Sequence, residues 1–237
     1  MRKKKDYSPN FSKKKRKKNL VKFVIIHYTG MQSEIESLKR LKSVKHKVSC
    51  HYLINRQGLV TQMVPDNKIA WHAGKSKWRN FHNLNEFSIG IELVNKGHNF
   101  GYEKFPTSQI YGLIQLCIYL KKKFKIKQQN FLGHSDIAPL RKEDPGENFP
   151  WEKLSKFKLG FWFEKKFKKY NLEEKNIKKA FFKNLYNIGY RYFKINKRLK
   201  TDKKIIAAFQ RRYLPKNVTG KIDKKTLEIS HFLSNLY

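Results

Sequence analysis

Before residue 125, short apolar segments of strand character precede one long amphipathic segment, and this order limits the possible folds more than any other feature. The long segment reads "PTSQIYGLIQLCIYLKKKF"; it begins with Pro-Thr-Ser and ends in a lysine-rich turn, as helices do. Its apolar residues recur at helical spacing: Ile110, Leu113, Ile114, Cys117 and Leu120. Strands mixed with a helix of this kind indicate an α/β layer domain with a central sheet.

Four shorter segments have the composition of strands. A buried strand, "VKFVII", ends at His27, and a hairpin is predicted from "SCHYLIN", the turn "RQG" and "LVTQMV". In "SIGIELVN" the side chains alternate between two faces of a strand. Ile89, Ile91 and Leu93 share one face, so Glu92 points away from the apolar layer.

Composition and periodicity divide the chain into four parts. Residues 1–19 are a lysine-dense lead-in that we expect to be flexible, and residues 20–163 form the α/β domain. Residues 164–172 are a charged linker. Residues 173–237 contain three segments with one apolar face each, the first of which ends at Gly189. These segments predict a small three-helix bundle.

The formal net charge of +36, from 54 Lys+Arg and 18 Asp+Glu, favours an anionic partner such as nucleic acid, an anionic membrane or an acidic wall polymer. The excess is mostly lysine spread along the whole chain, so a general bias in residue usage explains it equally well. The aromatic residues fall in apolar runs and are not interleaved on one basic face. We therefore expect no specific nucleic-acid binding.

The cysteine content and the lengths of the apolar runs bear on the cellular compartment of the protein. Cys50 and Cys117 are the only cysteines, which excludes a disulfide framework and a CxxC metal motif. No apolar run is long enough to span a membrane, and the basic N-terminus is not followed by an export-type apolar region. The sequence as given therefore predicts a cytoplasmic protein, with the cell envelope or periplasm as the alternative. We expect a monomer.

The loop "GHSDIAPLRKEDPGENFPW" places His134 and Asp144 about ten residues apart in a lysine-rich chain. Such a loop is often only a surface connection, because Pro, Gly, Asp and Asn are common in loops of any function. Two neutral imidazoles and one carboxylate, however, suit Zn²⁺ with a fourth position open to solvent. His27 is a candidate for the second imidazole, although a histidine at the end of a strand is often only structural.

Several motifs occur together in a characteristic order: "VIIHYTG", "VSCHYLINRQG", "AWHAG", "NEFSIGIELVN", the loop above and "LGFWF". In this arrangement the chain from Ser8 to Phe163 resembles the zinc-dependent N-acetylmuramoyl-L-alanine amidases of the AmpD-like, type 2 family. The resemblance implies a fold similar to that of peptidoglycan recognition proteins, with a mixed central sheet flanked by helices.

The resemblance also implies roles for single residues. The Zn²⁺ ligands fall on His27, His134 and Asp144, which would explain the histidine and the acidic residues of the loop. Glu92 matches the carboxylate that moves a proton from water to the leaving amine, although it could be an ordinary solvent-facing strand residue. Lys142 could stabilise the developing oxyanion. Trp71 and His72 match family positions that line the substrate-binding groove. For Trp71, a buried structural role is nearly as common.

Near the C-terminus, "LYNIGY", "AFQRRY" and "GKIDKKTL" resemble the three-helix peptidoglycan-binding module of wall hydrolases. A generic helical appendage is the alternative. Together the resemblances imply hydrolysis of the amide bond between N-acetylmuramic acid and L-alanine in peptidoglycan or muropeptides. A noncatalytic peptidoglycan-recognition module and a basic nucleic-acid-binding protein are the competing functions.

Overall fold

The computed structural model describes residues 2–163 and 176–237, so the predicted linker at 164–172 lies outside the described residues. The main sheet has six strands: β1 (Lys3–Lys5), β3 (Phe23–Tyr28), β4 (Tyr52–Ile54), β5 (Val60–Gln62), β9 (Ser88–Leu93) and β10 (Phe131–Gly133). They lie in the order β1-β5-β4-β9-β3-β10. Two small two-stranded sheets pair β2 (Phe11–Ser12) with β6 (Ile69–Ala70) and β7 (Lys77–Trp78) with β8 (Phe81–His82).

The main sheet is mixed. The strands β4 and β5 form the predicted antiparallel hairpin, while β4, β9, β3 and β10 run parallel to one another. The helices are α1 (Glu34–Lys42), α2 (Thr107–Phe124), α3 (His134–Ile137), α4 (Trp151–Ser155), α5 (Ile177–Ile188), α6 (Asp202–Tyr213) and α7 (Lys224–Ser234). This architecture confirms the predicted α/β fold with a mixed central sheet flanked by helices.

Both faces of the interior strand β3 are largely apolar and buried. Val24 and Ile26 lie in one core cluster with the apolar face of α2, whereas Phe23 and Ile25 lie in a second cluster with α5, α6 and α7. Because a parallel strand in the middle of a sheet must be covered on both sides, the C-terminal helices serve as the third layer of the fold. The face of β3 that carries His27 is the face that these helices cover.

Residues 2–19 of the predicted lead-in contact the rest of the fold through one strand and several buried side chains. Strand β1 pairs in parallel with β5. The buried Asn10 amide donates to the carbonyl of Ser43 at 2.8 Å, and the buried Arg16 guanidinium donates to the carbonyl of Ser88 at 2.6 Å. Lysine density alone does not predict this, since the attachment comes from the few residues between the lysines.

Cys50 and Cys117 are both buried, as predicted, and neither forms a disulfide. Among the described residues, no helix combines the length and the hydropathy that crossing a bilayer requires.

Candidate active site

Three side chains that are distant in sequence meet at the carboxyl ends of the neighbouring parallel strands β3 and β10. His27 is the second-last residue of β3, His134 begins α3 directly after β10, and Asp144 follows in the loop. The Nδ1 atoms of His27 and His134 are 2.9 Å apart, and each lies 3.0 Å from Oδ2 of Asp144. All three residues are buried, and their ligand atoms are close enough for one metal ion to contact all of them.

The other ring nitrogen of His134 indicates which tautomer it adopts. Its Nε2 lies 3.1 Å from the carbonyl oxygen of Ala73. Because a carbonyl oxygen can only accept, this contact assigns the proton to Nε2 and leaves the lone pair of Nδ1 directed at Asp144 and His27. An imidazole oriented by a backbone carbonyl in this way is typical of a metal ligand.

A hydrogen-bonded series orients His27 in the same manner. Its Nε2 lies 3.0 Å from Nδ1 of His72, and Nε2 of His72 lies 3.2 Å from the Ser88 hydroxyl. That hydroxyl donates to the carbonyl of Leu84 at 2.5 Å. With protons on the Nε2 atoms of both histidines, every contact in the series has one donor and one acceptor, and Nδ1 of His27 keeps its lone pair.

The charges of His27 and Asp144 also suit a divalent cation. Burial, followed by the proximity of His134, lowers the pKa of His27 from 6.5 to about 4, so its imidazole is neutral at pH 7. Burial alone would raise the pKa of Asp144, but the adjacent His134 and His27 hold it well below its usual range. Two neutral imidazoles and one carboxylate are a suitable donor set for Zn²⁺ and leave a coordination position open.

Glu92 and Lys142 line the same groove as His134 and Asp144. The register of β3 and β9 pairs His27 with Glu92, which places both side chains on one face of the sheet. Burial and then the charge of Asp144 raise the pKa of Glu92 well above 4.5, while Lys142 acts in the opposite direction. Oε2 of Glu92 is buried and has no hydrogen-bond partner among the described residues, so it is available to a ligand.

The two predicted substrate-binding residues lie in different environments. His72 is buried behind His27 and contributes to the lining of the groove. Trp71 is half-buried and does not belong to the described residues that line the groove. The direct contact with His27 is a feature of His72 that the sequence analysis did not predict.

The sequence analysis did not predict a role for two further residues behind the site, Gly90 and His51. A Cβ atom at Gly90 would lie 2.3 Å from the His72 ring, so only glycine lets this ring pack against β9. The Gly90 amide donates to Nδ1 of the buried His51 at 3.0 Å. A glycine within an otherwise alternating strand was the available signal, because it often marks a close approach of another group.

The groove over the site has a volume of about 810 Å³. Its lining includes Lys142 and Asp144 from the loop, Arg40 and Leu41 from α1, and Lys203, Ala207 and Arg211 from α6. The C-terminal helices therefore contribute to the candidate site as well as to the core.

Comparison with known proteins is consistent with this geometry. A family model described as N-acetylmuramoyl-L-alanine amidase matches residues 16–147, a segment that contains all seven predicted site residues. AmiD of Escherichia coli is 32% identical over 234 residues, which span 92% of this chain and 83% of AmiD. The chain belongs to the type 2 N-acetylmuramoyl-L-alanine amidase family.

Solved structures of related amidases extend the match to the C-terminal helices. The complex of Escherichia coli AmiD with anhydro-N-acetylmuramic acid-L-Ala-D-γ-Glu-L-Lys has a TM-score of 0.80 and 30% identity, and covers 95% of this chain and 92% of AmiD. AMPDH3 from Pseudomonas aeruginosa in complex with anhydromuramic pentapeptide has a TM-score of 0.79 and 28% identity, covering 98% of both chains. The match therefore includes most of the bundle that lies outside the family model.

Proposed function

We propose that this amidase hydrolyses the amide bond between N-acetylmuramic acid and L-alanine in peptidoglycan or muropeptides, with Zn²⁺ as its cofactor. The observation that carries the proposal is that His27, His134 and Asp144 converge beside Glu92, and that His134, Asp144 and Glu92 line one groove. The related AmiD is an N-acetylmuramoyl-L-alanine amidase whose structure contains a muropeptide substrate. A noncatalytic recognition module, the alternative left open by the sequence, is not favoured.

In this proposal His27, His134 and Asp144 would hold the metal ion. When bound, Zn²⁺ supplies Lewis-acid polarisation of the scissile carbonyl and activation of water. His27 and Asp144 already have the protonation states that metal binding requires, since His27 is neutral and Asp144 is ionised at pH 7.

Glu92 and Lys142 would assist the attack of water on the lactyl carbonyl carbon. Glu92 accepts one proton from the attacking water and later donates it to the alanine nitrogen as the carbon–nitrogen bond breaks. Its raised pKa suits this exchange, because a group that both accepts and donates a proton works best with a pKa near the working pH. Lys142 would place its ammonium group beside the developing oxyanion.

Other parts of the sequence interpretation remain predictions. We propose that residues 173–237 form a peptidoglycan-binding module, supported by the three helices α5, α6 and α7 and by the motifs within them. The substrate-binding role of Trp71 and His72, the cytoplasmic location and the monomeric state are likewise predictions. Sedimentation of the purified protein with insoluble sacculi at high salt tests the wall-binding role separately from catalysis.

The proposed reaction is tested by mass spectrometry of products from soluble anhydro-muropeptides and from intact sacculi. We expect a free stem peptide with an N-terminal L-alanine and a muramic acid with a free lactyl carboxylate. Removal of metal with a chelator should abolish both products, and one equivalent of Zn²⁺ should restore them. Cleavage at a different bond, or full activity of the metal-free protein, would contradict the proposal.

A further inference from the structure

We propose that helix α6 is part of the substrate site and that Lys203 on this helix binds a carboxylate of the stem peptide. The inference rests on the proposed function, because it assumes that the groove takes a muropeptide. It assigns a direct role in substrate recognition to the C-terminal helices, which lie outside the matched family model at 16–147.

The position of α6 beside the groove is fixed by polar contacts with the loop of the candidate site. Arg211 forms an ion pair with Glu143, and the Lys204 ammonium donates to the carbonyl of Leu140 at 3.1 Å. The next residue, Arg212, forms a buried ion pair with Asp136. Because these contacts hold α6 against residues 136–143, the part of the groove lining that α6 supplies has a defined position relative to the candidate ligands.

The lining of the groove carries an excess of positive charge. Its basic residues are Arg40, Arg141, Lys142, Lys203, Lys204 and Arg211, against the acidic residues Glu92, Glu143 and Asp144. Glu143 is already paired with Arg211, and Asp144 lies between two histidines. The cations therefore exceed the carboxylates available to neutralise them, which favours an anionic ligand.

Lys203 is the cation of α6 that the loop leaves available to a ligand. It is exposed, and no carboxylate of the described residues pairs with it, whereas Lys204 and Arg211 are engaged by the loop. Gly220 packs closely against the stem of Lys203, since a Cβ atom there would lie 2.5 Å from Cγ of the lysine. This contact limits the positions that the side chain can adopt.

The stem peptide supplies the complementary charge. In the ligand of the related AmiD complex the D-glutamate is linked through its γ-carboxyl group, which leaves its α-carboxylate free. An ammonium group in the wall of a groove can pair with such a carboxylate without taking part in the reaction. Lys203 should therefore affect the binding of substrate and leave the chemical step unchanged.

The test compares Lys203→Glu with Lys224→Glu as a matched control. Both lysines are exposed in the first turn of a bundle helix, and both substitutions change the net charge equally, but Lys224 does not line the groove in the described structure. Glutamate near a helix N-terminus is favourable in both helices. Thermal stability and zinc content, measured for both variants, verify that each is folded and contains Zn²⁺.

Two soluble muropeptides are used as substrates, one with free stem carboxylates and one with these groups amidated. We expect Lys203→Glu to raise KM for the free acid about fivefold and to leave kcat unchanged. A fivefold change in KM corresponds to about 1 kcal/mol of binding free energy. On the amidated substrate Lys203→Glu and Lys224→Glu should behave alike. Equal KM values for both variants on the free acid, or an effect of Lys203→Glu that persists on the amidated substrate, would overturn the inference. Failure of the wild type to cleave either substrate would overturn the proposed function itself.

Discussion

Arg212 of helix α6 forms a buried ion pair with Asp136, which lies two residues after the candidate ligand His134. Asp136 also accepts from the Tyr190 hydroxyl at 2.5 Å and from the Gly133 amide at 2.8 Å. The C-terminal region, through Arg212 and Tyr190, therefore supplies two of the partners of a carboxylate in the same short helix as His134. Through this pair, the bundle stabilises the segment on which the site depends.

Replacing Arg212 with methionine should lower the free energy of unfolding by about 3–5 kcal/mol, because Asp136 would remain buried without its charged partner. Urea denaturation measures the loss. The matched control is Arg211→Met on the same helix, where the ion pair with Glu143 is partly exposed and should contribute about 1 kcal/mol or less. Similar losses in the two variants would show that the Asp136 pair does not hold the bundle in place.

Replacing Glu92 with glutamine should reduce kcat by about 10²–10⁴-fold, because the amide keeps the shape of the side chain but cannot exchange a proton. Zinc content, measured by atomic absorption, should remain that of the wild type. Glu152→Gln, at an exposed position on α4, serves as the control and should leave kcat unchanged. A Glu92→Gln enzyme with normal turnover would exclude this residue from proton transfer.

Replacing His72 with phenylalanine should weaken Zn²⁺ binding by about 10–100-fold, because Nε2 of His27 would lose the acceptor that orients its ring. Competition with a chromophoric chelator measures the affinity without any need for turnover. His98→Phe is the control, since His98 also lines the groove but contacts Tyr28 and Glu147. Unchanged zinc affinity in His72→Phe would mean that the fold alone orients His27.

The buried His51 should make the protein less stable in mild acid. Burial, and then the nearby Arg16, lower the pKa of His51 well below 6.5 in the native state, whereas the unfolded chain takes up the proton near its ordinary pKa. The unfolded state therefore binds more protons below pH 6.5, and stability falls with decreasing pH by up to about 1.4 kcal/mol per pH unit for this residue.

The His51 contribution can be isolated by denaturation of the metal-free protein between pH 7 and pH 5. In His51→Gln the decline in stability with acid should be shallower than in the wild type, whatever the stability of the variant at pH 7. His82→Gln, at an exposed position, should retain the slope of the wild type. An identical slope in all three proteins would contradict the assignment of the acid sensitivity to His51.

Local periodicity predicted four strands of the main sheet, the long helix α2 and the three C-terminal helices, but not β1, β10 or α1. The helical spacing from Ile110 to Leu120 corresponds to α2, and the alternation from Ile89 to Leu93 corresponds to β9. These patterns can be recognised from the sequence alone because each arises inside one helix or strand. There the period of the backbone determines which side chains share a face. The family resemblance, carried by short motifs, likewise depends only on the order of residues along the chain.

The sequence by itself therefore determined the α/β class, the family and the types of residue in the candidate site. Only the tertiary structure decided that His27 pairs in register with Glu92, that His72 stands behind His27, and that α6 lines part of the groove. Strand register and helix docking depend on contacts between side chains far apart in the chain, such as Asp136 with Arg212. No local period encodes such contacts, because the free energy that selects them comes from burial and pairing in the assembled fold.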